Sequence, residues 1–193
     1  MRQLVYYIGQ SIDGFIAGPN DEVDFYPVPE EYSTWMFTEF GDALPTHARK
    51  LARVDDVPNS RFDTIVMGRR TYQPALDVGI TSPYAHLRQY VVSSTLTDVH
   101  DPAVEVVDGD PLELVRRLKA EDSPLDVYLA GGAALAGAVL PEIDRLVVKQ
   151  YPVVAGAGVP LFTTGFAPTA FELTDVQSFG SGHVVLDYRR ASA

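Results

Sequence analysis

The composition of the chain excludes several classes of protein. Its 193 residues include 26 aspartates and glutamates against 15 lysines and arginines, so the formal net charge is −11. Surfaces that bind nucleic acid are usually basic, and this balance therefore argues against nucleic acid as a partner. No apolar run approaches the roughly 20 residues that cross a bilayer, so no membrane partner is expected.

The chain contains no cysteine, which removes disulfides, thiolate nucleophiles and cysteine-ligated zinc together and suits a cytoplasmic protein. No two histidines have an i,i+4 spacing, so no metal site is predicted; they are His47, His86, His100 and His183. The length fits one domain over residues 1–193 with a substantial core. The first segment, MRQLVYYIGQSIDG, has one basic residue and then alternates into polar positions, which predicts a strand and not a signal peptide.

Short apolar runs bounded by turn residues predict strands along the chain. In order they are Leu4–Ile8, Thr64–Met67, Tyr90–Val92, Val104–Val107, Val127–Leu129, Leu146–Tyr151, Phe171–Val176 and Val184–Tyr188. Segments with helical spacing lie between several of them. They are Glu30–Arg53 with interruptions near Gly41 and Pro45, DPLELVRRLKA with an N-cap at Asp110 and Pro111 behind it, and GGAALAGAVLPE, which Pro141 stops.

The alternation of strand and helix predicts an α/β fold. Helices between strands favour a mixed, mostly parallel central sheet that is covered on both faces. The last two strands, joined through SFGSGH, predict an antiparallel hairpin that closes one edge of the sheet.

Three predicted strands end in small or hydroxylated residues. A helix that starts at such a point offers free N–H groups and its dipole to an anion, and an arginine grips a phosphate with its planar fork. Glycines there let the backbone approach a pyrophosphate closely. The three groups are Gly68-Arg69-Arg70-Thr71, Ser93-Ser94-Thr95 and Gly131-Gly132. Together they predict a site for a phosphate-bearing ligand at the carboxyl edge of the sheet.

Each group also has a plain structural explanation. A Gly-Arg turn is often a surface turn with a salt bridge, and Ser-Ser-Thr after a strand is often a capping loop. Gly-Gly before an alanine-rich helix often serves close packing of the helix on the sheet. Neither common nucleotide fingerprint is present: G-x-x-x-x-G-K-[ST] is absent, and Gly156-Ala157-Gly158 lacks the third glycine of G-x-G-x-x-G.

Five segments together carry a family resemblance: QSIDGFIAGPN, IVMGRRTY, VVSST, VYLAGGAALAGAVL and PVVAGAGVPLF. They cover nearly the whole chain. The chain resembles the dihydrofolate reductase-like superfamily, and within it the C-terminal reductase domain of the bifunctional deaminase-reductase of riboflavin biosynthesis and its stand-alone relatives. This resemblance implies a dihydrofolate reductase-like three-layer sandwich, NADPH as cofactor, a small-molecule substrate and a homodimer. The deaminase half is not expected, because its zinc site needs cysteines.

The resemblance also implies which residues contact the cofactor. Gly68 and Thr71 match the pyrophosphate site, and Arg69 matches the arginine for the adenosine 2′-phosphate. The pair Gly131-Gly132 matches one that is joined by a cis peptide in dihydrofolate reductases, and SIDGFIAG resembles the mobile loop over the nicotinamide. The full expected set is Ile16, Ala17, Gly68, Arg69, Arg70, Thr71, Ser93, Ser94, Thr95, Gly131, Gly132, Ala133, Ala134 and Leu135.

The residues expected at the substrate end of the site match the family's pattern less well than those expected at the cofactor. Dihydrofolate reductases place an acidic residue on the first helix to hold the pterin, and that position falls near Tyr32 here, so dihydrofolate is not expected as the substrate. Leu129 stands where the riboflavin reductases tend to carry an acidic residue. No catalytic residue is assigned; the candidates are Asp13, Glu31 and Glu39, and the expected pocket residues are Asp13, Gly14 and Trp35. The segment Pro152–Phe162 either lines this pocket or forms a Gly/Pro turn.

Three hypotheses follow from the sequence. The first is an NADPH-dependent reductase of a small heterocycle, pyrimidine-like or pterin-like. The second is a nucleotide-binding module that has kept the cofactor site and lost turnover. The third is a structural dimer in which Arg69 and Arg70 bridge carboxylates at an interface. Binding of NADPH separates the third from the others, and oxidation of bound NADPH by a substrate separates the first from the second.

Overall fold

The computed structural model of the protein describes residues 2–191. Ten strands and five α-helices follow one another in this part of the chain. They are β1 (Leu4–Gln10), β2 (Phe15–Ala17), α1 (Glu30–Phe40), α2 (Thr46–Ala52), β3 (Phe62–Gly68), α3 (Arg69–Asp77), β4 (Arg88–Val92), β5 (Val104–Val107), α4 (Pro111–Ala120), β6 (Asp126–Gly131), α5 (Ala133–Ala138), β7 (Arg145–Gln150), β8 (Val159–Pro160), β9 (Phe171–Ser178) and β10 (Val184–Arg190).

Eight strands form the central sheet, in the order β5-β4-β3-β6-β1-β7-β10-β9. The six strands from β5 to β7 are parallel to their neighbours. Strand β10 runs antiparallel to β7 and to β9, so the last two strands form a hairpin at one edge. This topology confirms the mostly parallel sheet and the antiparallel hairpin that the sequence predicted.

Helices cover both faces of the sheet. Along β1, Leu4 and Tyr6 are fully buried on the face that α4 and α5 cover. The alternate residues Val5 and Tyr7 are buried on the other face, together with residues of α1 and α3. Because side chains of a strand alternate between faces, burial of both faces makes β1 a continuous apolar run. The three-layer arrangement is thereby confirmed.

Local signals set the helix bounds. The side chain of Asp110 accepts a hydrogen bond from the backbone N–H of Leu112 at 2.8 Å, and Pro111 is the first residue of α4, as predicted. The predicted helical segment Glu30–Arg53 divides into α1 and α2, with a 3-10 turn between them and Pro45 as the N-cap of α2. None of the helices within residues 2–191 is long and apolar enough to cross a bilayer.

The sequence did not predict β2 and β8. These short strands pair antiparallel through Phe15, Ala17, Val159 and Pro160, and we call this pair the β2–β8 ribbon. Strands of two or three residues are too short for a period-2 pattern to be recognised. The ribbon brings the segment after β1 against the Pro152–Phe162 segment, next to the carboxyl edge of the sheet.

Candidate functional site

A cleft with a volume of about 1110 Å³ opens at the carboxyl edge of the sheet. It is lined by the residues that follow β3, β4, β5 and β6, and by the β2–β8 ribbon. Thirteen of the fourteen expected cofactor contacts lie on its wall: Ile16, Ala17, Gly68, Arg69, Arg70, Thr71, Ser93, Ser94, Thr95, Gly132, Ala133, Ala134 and Leu135. The three sequence groups that were predicted to bind one ligand are therefore brought together.

Three glycines lie at or just behind the floor of the cleft. The peptide bond between Gly131 and Gly132 is cis, as the resemblance implied. A Cβ atom at Gly68 would lie 3.3 Å from the nitrogen of Gly132, and one at Gly132 would lie 3.6 Å from the hydroxyl of Thr71. Gly131, with φ +94°, lies behind the wall against the Tyr6 hydroxyl. A side chain at Gly132 would fill the floor of the cleft.

Helix α5 is rich in alanine and glycine because a neighbouring segment lies directly against it. The N–H of Thr163 donates to the carbonyl of Ala133 at 3.0 Å. A Cβ atom at Gly137 would lie only 2.0 Å from the carbonyl oxygen of Thr163. Close packing therefore explains part of the small-residue pattern, in addition to the open cleft floor.

Helix α3 begins in the cleft wall. Its N-cap residue is Gly68, which has no side chain to cap the helix, so the amides of the first turn are left for water or a ligand. Positive charge and free amides at a helix start together favour an anion. This is the arrangement that the Gly68–Thr71 pattern predicted.

The two arginines of α3 differ in their contacts. Arg70 donates from Nε and Nη2 to the two carboxylate oxygens of Asp21, at 2.9 and 2.7 Å. Arg69 forms a hydrogen bond with Gln73 one turn later and makes no ion pair with any residue of the described range. Its Nε is buried and has no hydrogen-bond partner within residues 2–191. Arg69 is thus the cation that is available to an anionic ligand.

The hydroxyl group of Ser93 has a structural role. Its Oγ accepts hydrogen bonds from the backbone N–H groups of Thr95, at 3.2 Å, and Leu96, at 2.9 Å. The capping-loop explanation therefore holds for Ser93, although the residue also lines the cleft. Ser94 lies on the wall as well.

Asp13 is a fixed carboxylate outside the cleft. It accepts hydrogen bonds from the Ser11 hydroxyl at 2.6 Å and from the backbone N–H groups of Ala155 and Gly156 at 2.9 and 2.7 Å. The Ser11 hydroxyl and these amides lower the pKa of Asp13 to about 2. Asp13 therefore joins two loops outside the cleft, and its role as a catalytic or substrate-pocket residue stays a prediction. Gly14 lies beside it, and its N–H donates to the Ser11 carbonyl.

The candidates on α1 also lie away from the cleft. Glu39 forms an ion pair with Arg61 at 2.6 Å, and Trp35 packs against the rings of Phe40 and Phe179. Glu31 is exposed to solvent. The structure therefore does not bring Glu31, Glu39 or Trp35 to this cleft, and their roles in catalysis or in a substrate pocket stay predictions. Aromatic packing draws the helix onto the face of the sheet, and the carboxylates point to solvent or to arginine.

Tyr32, near the position where the resemblance implies an acidic residue on α1, is enclosed by aromatic side chains. It is fully buried, its hydroxyl lies 3.2 Å from the Tyr151 hydroxyl, and its ring stacks on His183 with centroids 4.6 Å apart. Burial raises its pKa far above the ordinary tyrosine value. Tyr32 is thus a neutral, enclosed phenol, and the expectation that dihydrofolate is not the substrate stays a prediction.

Other residues of the site were missed by the sequence analysis. Asp21 and Asp108 line the cleft, and so do Gly158 and the β8 residues. A Cβ atom at Gly158 would lie 2.1 Å from the Ala17 carbonyl oxygen, so this glycine permits the β2–β8 ribbon to close. Asp108 directly follows β5, and the rule that sites collect at strand ends would have identified it.

A partly buried lysine lies on the α1 face of the sheet. The Nζ atom of Lys149 is 3.8 Å from the ring centroid of Tyr7. Burial lowers the pKa of this ammonium group to about 7. The Tyr7 hydroxyl beside it is buried and has no hydrogen-bond partner among residues 2–191.

Comparison with solved structures defines the fold class. The dihydrofolate reductase of Enterococcus faecalis, complexed with NADP(H), matches with a TM-score of 0.64 and 14% identity over 98% of this chain and 97% of that one. A Shewanella sp. PV-4 protein named for riboflavin biosynthesis matches with a TM-score of 0.68 and 24% identity over both full chains. The Thermotoga maritima deaminase/5-amino-6-(5-phosphoribosylamino)uracil reductase matches with a TM-score of 0.65 and 13% identity, over 98% of this chain and 57% of that one. The protein has a dihydrofolate reductase-like fold.

The sequence comparison gives the family. Residues 2–185 match the model of the RibD C-terminal domain, and the chain belongs to this family. Among curated proteins it is similar to the uncharacterized protein YwjB of Bacillus subtilis, with 28% identity over 98% of this chain and 99% of YwjB. It is also similar to the uncharacterized protein YyaP of the same organism, with 26% identity over 97% of this chain and 94% of YyaP. Family and fold are those of a reductase-type oxidoreductase.

Proposed function

We propose that the protein is an NADPH-dependent reductase that transfers hydride to a small heterocycle, pyrimidine-like or pterin-like. One observation carries this proposal: an arginine without an ion-pair partner in the described part of the chain, hydroxyl groups and a glycine floor follow β3, β4 and β6 around one cleft. The family and the NADP(H) complex of the E. faecalis enzyme support it. The residues present fit a dinucleotide, because the buried Nε of Arg69 has no partner among the described residues and a Cβ would fill the floor at Gly132.

Different residues of the cleft would bind different parts of the cofactor. Arg69 would hold the adenosine 2′-phosphate, and Thr71 with the first amides of α3 would hold the pyrophosphate. Ser94 and Thr95 would face the adenosine ribose. The reduced nicotinamide, when bound, supplies the hydride, so the protein needs to align two rings more than to supply reactive side chains.

The apolar end of the cleft would exclude water from the reacting rings. Ile16 and Ala17 on β2 and Val159 on β8 line it, and the ribbon fixes them in one small sheet. Burial of the rings among these side chains would hold them at a fixed distance and keep solvent from competing.

We further propose that the chain is a single domain that works as a homodimer in the cytoplasm. The edge strand β9 exposes about half of Leu173 and Val176, at 52% and 49%, and Phe166 nearby along the chain is 99% exposed. An open sheet edge with apolar side chains offers a second copy a surface to cover. Light scattering would give twice the 21.1 kDa of one chain for a dimer.

A second candidate function is a nucleotide-binding module without turnover. The observation that favours it is the position of Asp13, Glu31 and Glu39, which all lie outside the cleft. The structural-dimer hypothesis is weakened, because the carboxylate that pairs with Arg70 is Asp21 of the same chain.

The experiment that tests the proposal is a calorimetric titration of the purified protein with NADPH and, separately, with NADH. We expect micromolar binding of NADPH, followed by its oxidation when reducible pyrimidines or pterins are added. Binding without oxidation by any of these compounds would favour the module without turnover. No binding of either nucleotide would contradict the cofactor site itself.

A further inference from the structure

Three neighbouring strands end in register at the cleft. Gly68 of β3 pairs with Val92 of β4, and Val92 pairs with Val107 of β5. The next residues along these strands are Arg69, Ser93 and Asp108, and all three line the cleft. The N–H of Ser93 donates to the Val107 carbonyl at 3.0 Å, which fixes Asp108 beside the serine loop.

Asp108 has no structural task in the described part of the chain. Its carboxylate is exposed and makes no hydrogen bond or ion pair with another residue of 2–191. The nearby Asp110 differs, because its side chain caps α4. An unpaired carboxylate on the wall of a ligand cleft is therefore free to interact with what binds there.

Two acidic and two basic residues line the cleft, so their formal charges cancel. Its charged lining residues are Asp21, Arg69, Arg70 and Asp108. Since Arg70 is paired with Asp21, one cation, Arg69, and one anion, Asp108, remain without a charged partner among residues 2–191. They follow strands that are two positions apart in the sheet, or about 10 Å, with the serine loop between them.

We propose that Asp108 is a specificity-determining residue for the adenosine end of the cofactor. Its carboxylate accepts a hydrogen bond from a ribose hydroxyl and opposes a phosphate at the same place, whereas Arg69 attracts that phosphate. The two residues together let the protein use NADH as well as NADPH. This inference rests on the proposed function, because it assumes that the cleft binds a nicotinamide dinucleotide.

The test compares the dissociation constants of NADPH and NADH for the wild type, Asp108→Asn and Asp108→Glu. Removing the charge should tighten NADPH by roughly threefold to tenfold and should not tighten NADH. The gain for NADPH should shrink at high salt, since salt screens exposed charges. Asp108→Glu keeps the charge and should keep the wild-type ratio.

A matched control is Asp56→Asn, which makes the same change in net charge at an exposed position outside the cleft and should leave the ratio unchanged. An equal change for both nucleotides in Asp108→Asn, or no change, would overturn the role of Asp108 while leaving the cofactor site intact. Failure of the wild type to bind either nucleotide would overturn the proposed function and this inference together.

Discussion

Arg70 and Asp21 form a two-point ion pair that joins the start of α3 to the segment after β2 at the mouth of the cleft. The charges compensate each other, so Arg70 adds little net attraction for an anion. Arg69, one position earlier, has no such partner among residues 2–191 and has a buried Nε that lacks a hydrogen bond. The two adjacent arginines therefore differ: Arg70 forms an ion pair within the chain, and Arg69 has none among the described residues.

The first prediction separates these two arginines. Arg69→Ala should weaken NADPH by about 1.5–3 kcal/mol, and NADH far less, because it removes a charge-assisted hydrogen bond to the 2′-phosphate. Arg70→Ala should cost less than about 1 kcal/mol, since it breaks an exposed ion pair. Titration calorimetry measures both. Equal losses of NADPH and NADH in Arg69→Ala would contradict the assignment of Arg69.

The second prediction concerns the packing of α5. Gly137→Ala should lower the free energy of unfolding by about 1–3 kcal/mol, because the new Cβ would lie 2.0 Å from the Thr163 carbonyl oxygen and force a backbone shift. Gly165→Ala is the matched control, since a Cβ there has no heavy atom within 4 Å. Urea unfolding compares the two. A loss as large in Gly165→Ala would show that the contact with Thr163 is not the cause.

The third prediction is a pH dependence at Lys149. Burial lowers the pKa of this ammonium to about 7 in the folded protein, whereas the unfolded chain keeps the ordinary value of 10.5. The unfolded state therefore binds more protons between these two values, and the contribution of Lys149 to stability rises with pH across that range. Below about pH 7 the ammonium is charged in both states, and its burial then lowers the free energy of unfolding by the full amount.

Lys149→Met should consequently raise the free energy of unfolding by roughly 1–3 kcal/mol at about pH 6, and by less at about pH 9. Lys50→Met, at an exposed position of α2, is the control and should show no such pH dependence. A gain that is the same at both pH values would contradict the prediction.

The fourth prediction concerns the carboxylate of Asp13. Asp13→Asn should speed hydrogen exchange of the Ala155 and Gly156 amides, because a neutral amide oxygen is a weaker acceptor than a carboxylate. In the wild type this protection is present above the ordinary aspartate pKa and is lost as the pH falls toward about 2. Unchanged exchange at both amides in the variant would show that other contacts hold the loop.

The cleft wall at the carboxyl edge of the sheet could be predicted from sequence because its signals are local. A strand that ends in glycine and a helix that starts there occupy a few consecutive residues, as at Gly68-Arg69, and parallel strands bring such ends to one edge. Asp108 was missed although it obeys the same rule. Only glycines and hydroxyl-bearing residues after a strand were taken as signs of a site, and a single carboxylate belongs to neither group. The structure alone shows that Asp108 has no partner among residues 2–191.

The surroundings of Asp13 and Trp35 could not be predicted, since their contacts join distant parts of the chain. Asp13 has the chemistry of a general acid in the sequence, but its partners Ala155 and Gly156 lie more than 140 residues away and fix it as an ion. Trp35 has the chemistry of a pocket wall, but packing against Phe179 draws it into the aromatic layer between α1 and the sheet. Tertiary contacts of this kind leave no pattern in a short window of sequence.

The β2–β8 ribbon couples two loops that are far apart along the chain. Ala17 pairs with Val159, Asp13 holds the amides of Ala155 and Gly156, and Gly158 allows the closest approach of the two backbones. A motion that opens the cleft at Ile16 must carry the 155–160 segment with it or break these contacts. The rate at which a dinucleotide enters and leaves would then be set by one concerted movement, and nuclear spin relaxation at Ala17 and Val159 would report a common exchange rate.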